Sequence, residues 1–205
     1  MKTKSRIAEI KRKTSETDIV VRLNIDGSGK SSVKTGIGFL DHMIAGFAKH
    51  GLFDIDVKAK GDLHIDIHHT NEDTAICLGK AFEKALGDKR GIRRFGAFIL
   101  PMDEALVETA LDISGRPSFH FNVCPSVKIT ERDKSYLLND AKEFIKSLSH
   151  HAGINLNIDI RSGTDPHHVI EATFKSLAKA LDMACQLDPR VKDVPSTKGK
   201  LNEKT

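Results

Sequence analysis

His68-His69-Thr70-Asn71-Glu72 recurs 99 positions later (68 to 167) as His167-His168-Val169-Ile170-Glu171, and this repetition decides the fold. At the same offset Leu78-Gly79-Lys80-Ala81 falls on Leu177-Ala178-Lys179-Ala180. Both copies run on into apolar positions at near-helical spacing, Ile76, Leu78, Ala81, Phe82 and Ala85 in one and Phe174, Leu177, Ala178 and Leu181 in the other. The repeated unit is a His-rich turn feeding a helix. Upstream the echo continues. His42-Met43-Ile44 leads through a helical stretch to Gly51 and an alternating strand beginning at Phe53, while Glu143-Phe144-Ile145 leads to Gly153 and a strand beginning at Ile154. Helix, glycine C-cap, strand, His-His turn and helix therefore recur in order, a duplicated α/β half of about 90 residues.

The remaining segments fill out each half. Residues 18–26 alternate like a strand ending at Gly27-Ser28-Gly29, and residues 32–37 are expected to pair with it as a hairpin. Residues 95–100 and 105–113 form a second strand pair around Pro101-Met102-Asp103-Glu104, and 118–123 a third strand after Ser114-Gly115-Arg116-Pro117. The stretch from Asp188, with Pro189, Pro195 and Gly199, reads as irregular. No low-complexity linker separates the halves. The expected organisation is one domain over 1–205, built of two repeats (about 1–92 and 93–187) around one core, plus a C-terminal tail 188–205.

Composition bounds the function. At 39% hydrophobic and 29% charged, the 205-residue chain has enough apolar side chain for a core and is far from the disordered class. The net charge of +4 suits an anionic small molecule as well as a nucleic acid. Cys77, Cys124 and Cys185 lack the spacing of a disulfide framework or zinc ribbon, which points to a reducing, cytoplasmic setting. No secretory signal is evident in MKTKSRIAEIKRKTSE, and no segment approaches the ~18 apolar residues of a membrane span. A soluble protein without membrane contact is expected.

Ten histidines, three pairs of them adjacent, carry the chemical information. His68 and Glu72 stand about one helical turn apart and share a face, whereas His69 is rotated by about 100°. One imidazole and one carboxylate can meet one metal while the neighbouring imidazole reaches another. His167, Glu171 and His168 repeat the arrangement. Two copies of a motif that each serves two sites imply a pair of metal ions with mixed nitrogen and oxygen ligands, supplemented by His42 and its repeat counterpart Glu143. Such ligands suit several first-row divalent metals. The spacing differs from the His-Glu-x-x-His of zinc proteases. His150-His151 has no paired counterpart in the first half, where His50 stands alone, and reads as structural or exposed. Arg94, Arg116 and Lys198 sit in glycine-bearing turns, where cations and backbone amides can converge on a phosphate.

Eight blocks in order resemble the imidazoleglycerol-phosphate dehydratase family: Glu16-Thr17, Gly38 to Met43, Asp66 to Asp73, Arg93 to Gly96, Pro101 to Ala105, Asp112 to Pro117, His167 to Lys175 and Pro195 to Gly199. The resemblance implies an α/β (α+β) fold in which duplicated βαβ-containing halves pack four helices between two four-stranded sheets. It also implies a left-handed crossover, as in ribosomal-protein and GHMP-kinase-type domains. Two Mn²⁺ per active site are implied, held by His42, His68, His69, Glu72, His167, His168 and Glu171, with an eighth ligand at Glu143, a position that is histidine in some relatives. Large homo-oligomers of about 24 subunits with interfacial active sites are implied as well.

By the same resemblance the chain is a lyase of histidine biosynthesis. It would convert D-erythro-imidazole-glycerol phosphate to imidazole-acetol phosphate and water through a dimanganese-bound imidazolate and a diazafulvene-like intermediate. Glu16 is the implied proton carrier, assisted by Glu171. Arg94, Arg116, Ser196 and Lys198 would hold the phosphate, with His50 and Lys175 as helpers. Two rivals remain on the residues alone. A dimetal hydrolase would use similar ligands but release phosphate rather than form a ketone. A nucleic-acid-binding module would bind RNA in a salt-sensitive way, for which a single Tyr136 and no Trp offer little stacking surface.

Overall fold

Ile19, Val21 and Leu23 are buried while Asp18 and Arg22 face solvent, the period of two that makes a half-buried strand. The same logic repeats through the molecule, a computed structural model that describes residues 6–129 and 135–201. Residues 1–5 of the expected first repeat and 202–205 of the expected tail lie outside the described residues. The first half runs β1 (Ile7–Lys13), β2 (Thr17–Asn24), β3 (Ser31–Lys34), α1 (Gly38–Gly51), β4 (Asp54–Gly61) and α2 (His68–Leu86). The second runs β5 (Phe95–Met102), β6 (Ala105–Asp112), β7 (Ser118–Val123), α3 (Leu138–Ala152), β8 (Asn155–Ser162) and α4 (Pro166–Cys185).

The sheets have the same order, β1-β2-β4-β3 and β5-β6-β8-β7. In each, the first three strands are antiparallel to their neighbours and the last pair is parallel, bridged by one helix. The duplication read from the sequence is thus a duplication of topology. One expectation fails here: residues 32–37 do not form a hairpin with β2. Ser31–Lys34 pair in parallel with β4, and the hairpin partner of β2 is β1. The reason is positional. β1 is an edge strand in which only Ala8 is fully buried, so its charged residues disguise it as a polar terminus.

The glycine caps also differ between halves. Gly153 ends α3 with φ 67°, as expected, but Gly51 is still helical and Leu52 takes the left-handed conformation at φ 58°. Gly51 is needed for space: a Cβ there would lie 2.3 Å from the Phe53 ring.

The helices fill the space between the sheets. α2 packs on β1 and β2, α4 on β5 and β6, α1 on β3 and α3 on β7, while α2 meets α3 and α1 meets α4 across the halves. Gly79 allows the α2–α3 approach, since a Cβ would lie 2.5 Å from the Leu148 carbonyl oxygen. One buried apolar cluster extends from Ala8 to Cys185. Phe82 touches Phe53 and Phe47 edge-on within it, at centroid distances of 5.1 and 6.0 Å. Removing such a ring costs about 3–5 kcal/mol. Among the described residues no helix is long and apolar enough to cross a membrane.

Candidate metal and anion site

The His68-His69 and His167-His168 pairs stand at helix N-termini, and in each a carboxylate two residues before the first histidine accepts its backbone N–H. Asp66 accepts the His68 backbone N–H and Asp165 that of His167, each at 2.8 Å. The residues beside the proposed ligands do a different job. Asp73 is buried, accepts a bond from the Thr17 hydroxyl at 2.6 Å and pairs with Arg12 at 2.9 Å. Asn71 accepts from Tyr136 and donates to the Asp140 carbonyl, both at 2.9 Å. These bonds tie the first turn of α2 to the β1–β2 hairpin and to α3. Removing one partner would leave a buried polar group unsatisfied, so the turn is rigid.

The α1–α4 contact brings His42, His167 and Glu171 together. Glu171 Oε2 lies 3.0 Å from His167 Nε2 and 3.4 Å from His42 Nε2. The three donor atoms fall within 4.8 Å of one another, and among the described residues no other trio of ligand-type side chains groups this closely. Phe39 braces the cluster, its ring 5.0 Å from that of His167 and stacked on Tyr136 at 5.3 Å. Burial pushes the Glu171 carboxyl up, but Lys175 at 2.7 Å, followed by His42 and His167, outweighs it and holds the carboxyl below its ordinary value. An anionic carboxylate beside two imidazoles, open to solvent on the histidine side, fits a first-row divalent ion such as Mn²⁺.

The neighbouring imidazoles point elsewhere, as helical rotation requires: the His68–His69 and His167–His168 rings stand at 70° and 78° to each other. His69 donates through Nδ1 to Asp62 at 2.9 Å and leaves Nε2 facing Glu16, 3.9 Å away. His168 donates through Nδ1 to Glu104 at 2.8 Å and leaves Nε2 near Asp103, 3.7 Å away. Both imidazoles titrate above their ordinary value, through the bonds to Asp62 and Glu104 respectively. Glu16 is half-exposed, its backbone N–H bonded to the Thr14 hydroxyl.

The repeat counterparts of the gathered trio, Glu143, His68 and Glu72, are not gathered within the chain. Glu143 pairs with Lys146 at 3.0 Å, Glu72 accepts a long bond from Ser147 at 3.4 Å, and His68 faces solvent. His151, beside them on α3, donates Nδ1 to the Ser147 carbonyl at 2.9 Å.

The cations divide likewise. Arg94 donates Nε and Nη2 to Asp112 and Nη1 to the Pro195 carbonyl, and so binds the turn carrying Ser196 and Lys198 to β6. In that turn the Ser196 hydroxyl accepts the Lys198 N–H at 3.2 Å. Arg116 is exposed after Gly115. His50, at the end of α1, titrates below its ordinary value because of burial and then the nearby charges of Lys175 and Lys179. Asp62, Asp103, Glu104 and Asp112 are the residues that sequence reasoning missed. Asp103, Glu104 and Asp112 lie inside blocks that carry the family resemblance, but nothing in their spacing announces which histidine or arginine they hold.

A family model described as imidazoleglycerol-phosphate dehydratase matches residues 35–181. The imidazoleglycerol-phosphate dehydratase of Thermoanaerobacter pseudethanolicus is 54% identical over 95% of this chain and 98% of its own. That of Prochlorococcus marinus strain NATL1A is 51% identical over 98% of each. Among solved structures, the enzyme from Pyrococcus furiosus superposes with a TM-score of 0.78 at 37% identity, covering 94% of this chain and all of its own. That from Staphylococcus aureus gives 0.78 at 31%, covering 89% and 99%.

Proposed function

The chain belongs to the imidazoleglycerol-phosphate dehydratase family, hydro-lyases of histidine biosynthesis acting on a small phosphorylated imidazole, and on that premise we propose how its residues divide the work. The substrate is D-erythro-imidazole-glycerol phosphate and the product imidazole-acetol phosphate. The observation that carries the reading is the convergence of His42, His167 and Glu171 from two helices of opposite halves. These three, with His68, His69, Glu72, Glu143 and His168, are the proposed ligands of two Mn²⁺ ions. Bound there, the ions supply Lewis acidity to the substrate's imidazole ring and fix its position.

Within one chain His69 and His168 stand in carboxylate pairs apart from the trio, which supports an active site completed between copies in a large homo-oligomer. A cytoplasmic location accords with three thiols that form no disulfide.

The proton work falls to Glu16. Once the C–O bond on the ring-side carbon has broken, its carboxylate accepts the proton from the carbon that becomes the ketone; that proton then passes to the departing hydroxide, which leaves as water, and the enol tautomerises. Glu171 assists by holding His42 and His167. Arg116, Ser196 and Lys198 bind the phosphate, Arg94 binds it while anchoring the tail turn, and Lys175 and His50 add positive charge and a hydrogen bond.

Incubation with imidazole-glycerol phosphate, with and without Mn²⁺, tests the reading. Manganese-dependent ketone formation is expected. Release of inorganic phosphate instead would identify a hydrolase and overturn it. His42→Ala or His168→Ala should lower the manganese content found by elemental analysis, and unchanged stoichiometry would remove those ligands.

A further inference from the structure

We propose that Glu104 is a positioning residue that fixes the tautomer of His168 and so makes its Nε2 a ligand. The inference rests on the metal reading above and adds a residue to it. Its starting point is the duplication. Glu16 immediately precedes the first residue of β2 and Glu104 the first residue of β6, and those strands hold the same place in their sheets. The registers agree: Val21 faces Val57 in one sheet, and Thr109 faces Ile158 in the other. The two glutamates therefore occupy equivalent corners, each beside the second histidine of its helix.

They have diverged in what they touch. Glu16 approaches His69 only to 3.9 Å, and Asp62 has taken over the Nδ1 of that ring. Asp62 belongs to a connection, residues 62–67, that is longer than the matching connection, 163–165, between β8 and α4. The shorter connection instead turns its backbone N–H groups onto Glu104: Oε1 accepts from Thr164 at 3.1 Å and Asp165 at 2.8 Å, while Oε2 takes His168 Nδ1 at 2.8 Å. Glu104 is thus committed on both oxygens and cannot carry protons as Glu16 is proposed to do. A carboxylate accepts only, so the ring nitrogen facing it carries the hydrogen and Nε2 keeps its lone pair.

This geometry supplies a variant that separates positioning from scaffolding. In Glu104→Gln the amide oxygen must face the two backbone N–H donors, because an amine there would meet donor with donor. The amine then faces Nδ1, which must accept, and the proton moves to Nε2 and blocks it. Metal-stripped wild type, Glu104→Gln and Glu104→Ala are titrated with Mn²⁺, the free ion being counted by electron paramagnetic resonance, and thermal unfolding of the metal-free proteins is recorded beside it.

Glu104→Gln is expected to unfold at the wild-type temperature but to bind Mn²⁺ about 10- to 100-fold more weakly. Glu104→Ala is expected to lose both affinity and thermal stability. Equal binding by wild type and Glu104→Gln would overturn the role of Glu104 alone. A Glu104→Gln protein as thermolabile as Glu104→Ala would reduce the residue to a scaffold and overturn it too. Failure of the wild type itself to bind Mn²⁺ would overturn the metal reading and this inference together.

Discussion

Arg94 grips Asp112 through two parallel bonds, Nε to Oδ1 at 2.7 Å and Nη2 to Oδ2 at 2.9 Å, and its third amine reaches the Pro195 carbonyl at 2.8 Å. One guanidinium therefore couples β6 to the tail turn that carries Ser196 and Lys198. Charge-assisted bonds of this kind contribute about 1.5–3 kcal/mol each, so Asp112→Ala should free both the arginine and the turn. The expected result is a rise in KM for the phosphorylated substrate of roughly tenfold or more with a smaller change in kcat. Hydrogen exchange should quicken over residues 188–201. An unchanged KM would show that the tail turn orders without the clasp.

Glu16 lies 3.9 Å from His69 Nε2 with half of its side chain in solvent, so its carboxylate is open to a substrate. Glu16→Gln should lower kcat by about 10²–10⁴-fold, the usual worth of a general acid or base. Manganese content and thermal unfolding should stay at wild-type values, because the nearest imidazole is already held by Asp62. Near-normal turnover would remove Glu16 from the proton path.

The candidate residues of this site were legible because a duplication writes the His-His-x-x-Glu pattern twice. The repeat placed the starts of α2 and α4 and named His42 and Glu143 as counterparts. What spacing could not show were contacts between distant segments. Glu104 is 64 residues from His168 and meets it only because the β5–β6 turn folds over the start of α4. β1 was hidden for another reason: an edge strand with one buried face and alternating charges has no apolar run to read. Leu52 in the left-handed region likewise departs from the rule that glycine ends helices, while Gly51 answers to the close approach of the Phe53 ring.

The three cysteines should differ sharply in reactivity. Burial pushes the thiol of Cys77 up to about 11 and that of Cys185 up to about 12. Cys124 is held below its ordinary value by the Ser126 hydroxyl and then its backbone N–H. At pH 8 a thiol of pKa 11 is ionised to about one part in a thousand, and the thiolate is the reacting species. A chromogenic aromatic disulfide should therefore label one cysteine quickly in the native protein and the other two only after denaturation. Cys124→Ser should abolish the fast phase. Fast labelling in that variant would show that Cys77 or Cys185 is reached by local opening.

Glu143 offers the clearest test of how the two repeats would share the proposed metals. It sits where the first repeat has His42, yet its carboxylate is occupied by Lys146, an i,i+3 pair with half of the lysine in solvent. Exposed pairs of that kind are worth roughly 0–1 kcal/mol, far less than a bond to a divalent ion, so the pair presents little obstacle to rotation toward a metal. Its repeat partners His68 and Glu72 stand at the start of α2, which packs against α3. If Glu143 completes that second trio, Glu143→Ala should lower the manganese bound per chain toward half the wild-type value, while the His42, His167 and Glu171 trio keeps its ion. Metal-free thermal stability should not change, since only a surface pair is lost. Glu143→His should restore the lost ion, because imidazole is the proposed donor of the first repeat at this place. Full manganese loading in Glu143→Ala would leave His68 and Glu72 to hold the second ion without help from α3.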